Sequence, residues 1–149
     1  NVSVKSTLGA SVRIAKIWPG YALKVLARDS GSSVPVTETN GVCSFPTAAG
    51  ETYLLSQGEA SEPPSTPKGL QGYAGNTTAL LDWSTATAAS SYIIKRSTDG
   101  VNFTAIGSAT GISYVDAGLT NGSTYHYKAR AANALGESTD TQAVSVIPG

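Results

Sequence analysis

Apolar and polar side chains alternate with a period of two along most of the chain, and no stretch shows the 3.6-residue period of an amphipathic helix. Gly, Pro, Asn and Asp interrupt this alternation about every eight to twelve residues, which is typical of short strands joined by turns. The pattern therefore predicts an all-β protein built from short antiparallel strands.

The first part of the chain is predicted to contain six strands. They begin at Val2, Ser11, Tyr21, Val34, Val42 and Thr52. The pair Asn40-Gly41 separates the strand "VPVTET" from the strand "VCSF". Both residues tolerate positive φ, so this pair predicts a tight hairpin. We expect a small β-sandwich here.

Hydrophobic alternation stops in the segment "GEASEPPSTP", residues 58–67, which contains three prolines. Proline favours extended, semi-stiff conformations and rarely continues a central strand. This composition predicts a Pro-rich linker at residues 59–66. It divides the chain into an accessory β-sandwich at residues 1–58 and a second domain at residues 67–149.

The second domain has the clearer strand pattern. Ala79, Leu81 and Trp83 alternate on one face of "TALLDW", which assigns Trp83 to the core. Further strands are predicted in "SYIIKR", "VNFTAI", "TYHYKARA" and "QAVSVI". In "VNFTAI", the apolar residues Val101, Phe103 and Ala105 alternate with polar or small ones. Seven short strands with one apolar face each predict two packed sheets, because each sheet must bury its apolar side.

The stretch "GLTNGSTYHY" predicts a tyrosine corner, in which a tyrosine hydroxyl hydrogen-bonds to backbone a few residues upstream. We expect Leu119 to cap the core, Gly122 to permit the turn and Tyr125 to close the corner.

Residues 65–149 resemble a fibronectin type III domain of the bacterial, enzyme-associated kind. The resemblance rests on an ordered set of positions: Pro67, Leu70, Leu81, Trp83, Tyr92, Ile94, Arg96, "SYVDAGL" from Ser113 and "NALGES" from Asn133. It implies an immunoglobulin-like β-sandwich.

Residues 1–60 resemble the C-terminal β-sandwich of bacterial glycoside hydrolases, including α-L-fucosidase-like enzymes. The matching features are the run Ile17-Trp18-Pro19 and the spacing of Phe45, Thr47, Gly50, Thr52 and Tyr53. This resemblance implies that a catalytic domain lies upstream of the sequence.

Composition narrows the choice of partners. The chain has zero formal net charge and 13% charged residues, and its lysines and arginines are scattered. Without a basic patch we expect neither a nucleic acid nor an anionic membrane as a partner, and without about 18 consecutive apolar residues we expect no membrane span. The single cysteine, Cys43, cannot form an internal disulfide. We expect it to be a small buried side chain, with a reactive thiol as the alternative.

The sequence predicts no catalytic residue, no metal site and no cofactor. His126 is the one histidine, and it lies within a predicted strand between two tyrosines. No "GxSxG" element is present, and most acids, including Asp116, lie in predicted turns or the linker. Neither a calcium loop nor a phosphate-binding glycine loop occurs.

Exposed aromatic rings are the remaining candidates for ligand binding, because sugar rings stack on them. The candidates for sugar-stacking rings are Trp18, Tyr21, Tyr73 and Tyr114. Of these, we predict that Trp18 and Tyr21 contact a ligand. The alternative is that Trp18 covers one end of a small core.

Together these features suggest non-catalytic accessory or spacer modules of a secreted bacterial polysaccharide-degrading enzyme. Expected partners are neighbouring domains of the same polypeptide and a polysaccharide, and the expected location is extracellular or the cell surface. A weak carbohydrate-binding module and a segment of a cell-surface adhesin are the alternatives.

Overall fold

The computed structural model describes residues 2–7 and 9–149, and over these residues it contains strands and turns but no helix. The chain divides into two compact units, Asn1–Ser61 and Glu62–Gly149. Of the residues predicted as a linker, Glu59 and Ala60 end the last strand of the first unit. Ser65 belongs to the second unit, where its N–H donates to the Thr87 carbonyl at 3.0 Å.

The first unit is a sandwich of two antiparallel sheets. Its strands are β1 (Val2–Lys5), β2 (Ser11–Ala15), β3 (Tyr21–Ala27), β4 (Ser33–Val34), β5 (Thr37–Thr39), β6 (Val42–Pro46) and β7 (Thr52–Ala60). One sheet has the order β1-β7-β3-β4 and the other the order β2-β6-β5. All-β architecture is thereby confirmed for this part of the chain.

The core of the first unit is small. Val25, Phe45, Tyr53 and Leu55 are buried in one cluster, and the rings of Phe45 and Tyr53 lie 5.6 Å apart. The β5–β6 turn is formed by the predicted pair at residues 40 and 41, both with positive φ (51° and 72°). The single strand predicted from residue 34 is instead two short strands on either side of residue 35, a proline that cannot donate a ladder hydrogen bond.

The second unit is also a two-sheet antiparallel sandwich. Its strands are β8 (Lys68–Gly75), β9 (Thr78–Ser84), β10 (Ser91–Ser97), β11 (Thr104–Ala109), β12 (Ser113–Ala117), β13 (Tyr125–Asn133), β14 (Gly136–Glu137) and β15 (Val144–Val146). One sheet has the order β12-β9-β8. The other has the order β11-β10-β13-β14, and β15 also pairs with β13. Strands β14 and β15 are thus two pieces of one interrupted edge.

Alternating residues of both sheets form the second core. Trp83 is 3% exposed and packs against Tyr92, with ring centroids 5.3 Å apart. Tyr127 and Ile94 are fully buried in the same cluster. The predicted inward face of "TALLDW" is therefore confirmed as core.

The prediction for β11 was wrong both in where the strand begins and in which of its residues face the core. The strand expected from Val101 begins at Thr104, and Val101 is 78% exposed. Ile106, not Ala105, packs against the core. The Asp99 carboxylate accepts hydrogen bonds from the backbone N–H groups of residues 101 and 102, so this segment forms a turn before the strand starts. Pairing of β10 with β11 also shifts register between Ile94 and Lys95.

Candidate functional site

The predicted corner residues of the second unit lie together at the start of β13. The Thr120 N–H donates to the Tyr125 hydroxyl at 3.1 Å, which lowers the pKa of that hydroxyl. Gly122 has a φ of 78°, and its N–H donates to the Pro148 carbonyl at 2.7 Å. Leu119 is buried. Tyr125 itself is half-buried, and its hydrogen bond is exposed to solvent.

A second corner of the same construction occurs in the first unit, where sequence reasoning did not identify one. The Ala48 N–H donates to the Tyr53 hydroxyl at 2.6 Å, again from five residues upstream. Gly50 has a φ of 80°, and its N–H donates to the Ser6 carbonyl at 2.7 Å. The signal was present, because "GETY" and "GSTY" place glycine and threonine identically before the tyrosine.

The sheets of the second unit are joined by a partly buried ionic group that we call the Asp116 cluster, consisting of Arg96, Asp116 and Tyr127. Arg96 Nη1 donates to both carboxylate oxygens of Asp116, at 3.2 and 2.9 Å. The Tyr127 hydroxyl donates to Asp116 Oδ2 at 2.8 Å. Asp116 is 7% exposed. Burial and the neighbouring carboxylate raise the pKa of Tyr127 well above its usual range.

The prediction that Asp116 lies in a turn was wrong. It lies within β12, and it pairs with Ala79 of the neighbouring strand. Its partner could have been anticipated, because Arg96 shares a face with Tyr92 and Ile94 in the alternating strand β10. A cation on a core-facing position needs a buried anion or a route to water.

A further ionic network joins β10 and β13 to the segment after β14. Asp140 accepts from Lys95 Nζ at 3.0 Å and from Arg130 Nε at 2.6 Å. Arg130 also contacts Glu137 at 2.6 Å. Burial opposes ionisation of Asp140, but the hydrogen bonds from both cations lower its pKa overall. The same carboxylates raise the pKa of the Arg130 guanidinium.

Beside this network lies an open cleft of about 530 Å³. Its lining residues are Thr66, Pro67, Lys68, Gly69, Leu70, Asp140, Thr141, Gln142 and Val144. Asp140 already serves as acceptor for Lys95 and Arg130. The cleft is therefore lined by apolar side chains and a few polar ones, and Asp140 is the one acid among its lining residues.

The proposed ligand residues of the first unit are both half-buried. Trp18 packs against the first core, as the alternative interpretation of this residue expected. Tyr21 begins β3, and its N–H donates to the Trp18 carbonyl at 3.2 Å. In the second unit, Tyr114 packs against the core, whereas Tyr73 is 47% exposed.

The reactive-residue candidates occupy structural positions. His126 is half-buried in β13, and its Nδ1 lies 2.9 Å from the Ser145 hydroxyl. Cys43 is 1% exposed, and burial raises the pKa of its thiol. Among residues 2–7 and 9–149, no group of three His, Cys, Asp or Glu side chains could hold a metal ion. The described part of the chain also has no helix long and apolar enough to cross a membrane.

The sandwich topology and the tyrosine corner define the second unit as an immunoglobulin-like β-sandwich. No family model matches the sequence. The structure is similar to that of a Fn3-like protein from Clostridium thermocellum, with 31% identity, a TM-score of 0.51, and coverage of 58% of this chain and 95% of that one. It is also similar to FN3tt, with 27% identity, a TM-score of 0.52, and coverage of 58% and 98%.

The second unit is accordingly a fibronectin type III domain. Among curated proteins, a poly(3-hydroxybutyrate) depolymerase from Ralstonia pickettii is 40% identical over 83 residues. The match covers 54% of this chain and 16% of the depolymerase, so the chain spans about a sixth of that relative. A β-1,2-glucanase from Parabacteroides distasonis shares the fold over 97% of this chain and 28% of its own, at 19% identity and a TM-score of 0.53.

Proposed function

We propose that this chain is a pair of accessory modules of a secreted bacterial enzyme that degrades a polymer, and that the chain itself performs no catalytic step. The 40% identity to part of a poly(3-hydroxybutyrate) depolymerase carries this proposal. In this proposal the fibronectin type III domain acts as a spacer that holds a catalytic domain at a distance from other modules.

The polar groups of the second unit support a structural role. Arg96, Asp116 and Tyr127 are engaged with one another across the sandwich. Lys95, Arg130 and Asp140 are engaged on the outer face of the sheet. A general acid or base must be able to reach a substrate, and these groups are committed to holding strands together.

The polymer class that the match to the depolymerase favours differs from the one that the sequence suggested. Poly(3-hydroxybutyrate) is an aliphatic polyester, whereas the resemblance of residues 1–60 points to a polysaccharide. The likeness to the β-1,2-glucanase concerns the fold alone at 19% identity. We therefore propose a polyester-degrading parent enzyme and keep the polysaccharide interpretation for residues 1–60 as a prediction.

Two measurements test the proposal. The genomic sequence on either side of this chain should encode a hydrolase domain. The 149-residue chain should release no soluble product from poly(3-hydroxybutyrate) films or from glycans, while the longer protein should release product from one of them. Product release by the chain alone would overturn the non-catalytic assignment. Flanking sequence made only of further sandwich repeats would favour the adhesin alternative.

A further inference from the structure

The outer face of the three-stranded sheet of the second unit carries an uninterrupted row of apolar side chains. Tyr73 of β8 lies directly opposite Leu80 of β9, and Leu80 lies directly opposite Val115 of β12. These three residues are 47%, 42% and 57% exposed. Directly opposed side chains on one sheet face are in contact range, so they form one patch, which we call the Tyr73 row.

The neighbouring positions on this face are almost uncharged. Gln71, Asp82 and Ser113 form the next row, in register across the same three strands. Thr78 and Ala117 lie opposite each other on the other side of the Tyr73 row. Asp82 is the charged residue of these rows, and it is half-buried.

The size of the patch bears on what could cover it. The exposed parts of the Tyr73 row amount to roughly 300 Å², comparable with the largest apolar patch on an ordinary monomer. A stable protein–protein interface buries about 800 Å² on each partner. The row is therefore too small to hold a second folded protein by itself, but a flat polymer surface can contact it without needing a complementary shape.

The chemistry of the face fits an aliphatic polyester better than a sugar. Leu80 and Val115 offer branched aliphatic groups, and one aromatic ring is present, that of Tyr73. Gln71 accepts from the Tyr73 hydroxyl at 2.7 Å through its carbonyl oxygen, which leaves its amide N–H groups available as donors. A polyester presents alkyl groups and ester oxygens that accept hydrogen bonds but cannot donate them.

We propose that the Tyr73 row is a weak docking face for the solid surface of an aliphatic polyester such as poly(3-hydroxybutyrate). This inference rests on the proposed function and deepens it, because it assigns one module a contact with the polymer. Weak contact is useful in a multidomain enzyme, since linked modules add to the residence of the whole protein on a surface.

Adsorption of the full chain to poly(3-hydroxybutyrate) granules, measured by depletion from solution, tests the inference. The test variant is Tyr73→Thr/Leu80→Thr/Val115→Thr, because threonine is polar and its β-branched side chain is one that strands favour. The matched control is Val101→Thr/Leu135→Thr/Ile147→Thr, which alters three side chains that are 78%, 53% and 55% exposed and lie outside this sheet. Thermal melts confirm that each variant is folded.

We expect the test variant to lower the partition coefficient about tenfold, because it removes most of the apolar contact area. The control should lower it less than about twofold if the area of contact lies on the Tyr73 row. Asp82→Asn should raise adsorption, since it removes a charge that must otherwise stay hydrated beside the polymer.

Three adsorption results and one sedimentation result would overturn the inference. The adsorption results are equal losses in both triple variants, no measurable adsorption of the unmodified chain, and stronger adsorption to crystalline cellulose or chitin of matched surface area. Sedimentation at the same concentrations should show a monomer, and a dimer that the Tyr73 row variant abolishes would mean that a second copy covers the face. The proposed function is tested separately by the flanking sequence and the hydrolysis assays, and those tests do not depend on the adsorption result.

Discussion

The two units close a turn with the same arrangement of glycine, threonine and tyrosine, but they place the tyrosine in different surroundings. Tyr53 of the first unit is 4% exposed and belongs to its core. Tyr125 of the second unit is half-buried, and the Arg96 guanidinium lies 5.7 Å from its ring centroid. One local signature can thus supply either a core residue or a peripheral one.

The two tyrosines differ in burial because the two units have different numbers of other large side chains to fill their cores. The second core contains Trp83, Tyr92 and Tyr127, together with the carboxylate of the Asp116 cluster. The first core has four members in its buried cluster, of which Tyr53 is one of two aromatic residues. A small interior must use its corner tyrosine for packing, whereas a larger interior can leave that residue near the surface.

The largest expected effect comes from Trp83→Ala. Truncation of a buried tryptophan should cost about 3 to 5 kcal/mol, which is a large part of the 5 to 15 kcal/mol typical of a whole domain. We expect denaturant melts to show the second unit unfolded or nearly so. A variant of nearly unchanged stability would mean that the second core does not depend on Trp83 and would remove the contrast between the units.

Asp116→Ala should destabilise the second unit by about 2 to 3 kcal/mol, because it leaves the Arg96 charge and the Tyr127 hydroxyl without their acceptor. The figure is below that for a fully buried pair because the Arg96 side chain is 34% exposed. Asp82→Ala, in the same sheet, is the matched control and should change the melting midpoint little. Equal effects of the two substitutions would show that the Asp116 cluster contributes nothing specific.

Alkaline pH should weaken the second unit through Tyr127. Its pKa is raised in the folded state, so the unfolded chain loses this proton first as pH rises. The stabilisation is therefore complete below about pH 10 and decreases above it, by up to about 1.4 kcal/mol per pH unit. The difference in unfolding free energy between the unmodified chain and Tyr127→Phe, followed from pH 9 to 11, should shrink. A constant difference would contradict this expectation.

Tyr53→Phe should cost the first unit about 1 kcal/mol, because the Ala48 N–H loses an acceptor whose hydrogen bond is partly buried. The phenyl ring still fills the core, so the substitution isolates the hydroxyl. Tyr53→Ala should cost several times more. If the two substitutions were equally mild, Tyr53 would not be a core residue in solution.

Tyr125→Phe should have the smallest effect, about 0.5 kcal/mol, since water can replace the acceptor of an exposed N–H. Its direct comparison with Tyr53→Phe sharpens the contrast between the two corners. A larger loss from Tyr125→Phe than from Tyr53→Phe would reverse the proposed ranking.

Local pattern was sufficient for most of the strands and for the turns that depend on a few adjacent residues. Period-two alternation identified β9, β10 and β13, and the Asn40-Gly41 pair identified the β5–β6 turn. It was also sufficient to place Trp83 among core positions. These features depend on the residues of one strand or one turn, so they can be predicted without knowing which strands become neighbours.

Tertiary structure decided the features that depend on contacts between distant segments. The phase of β11 follows from the Asp99 turn and from a register shift against β10. The pairing of Arg96 with Asp116 joins residues 20 positions apart in different sheets. The Tyr73 row exists only because three strands align at one register. Burial of Tyr53 but not of Tyr125 depends on the volume that the rest of each core already fills, which no local spacing records.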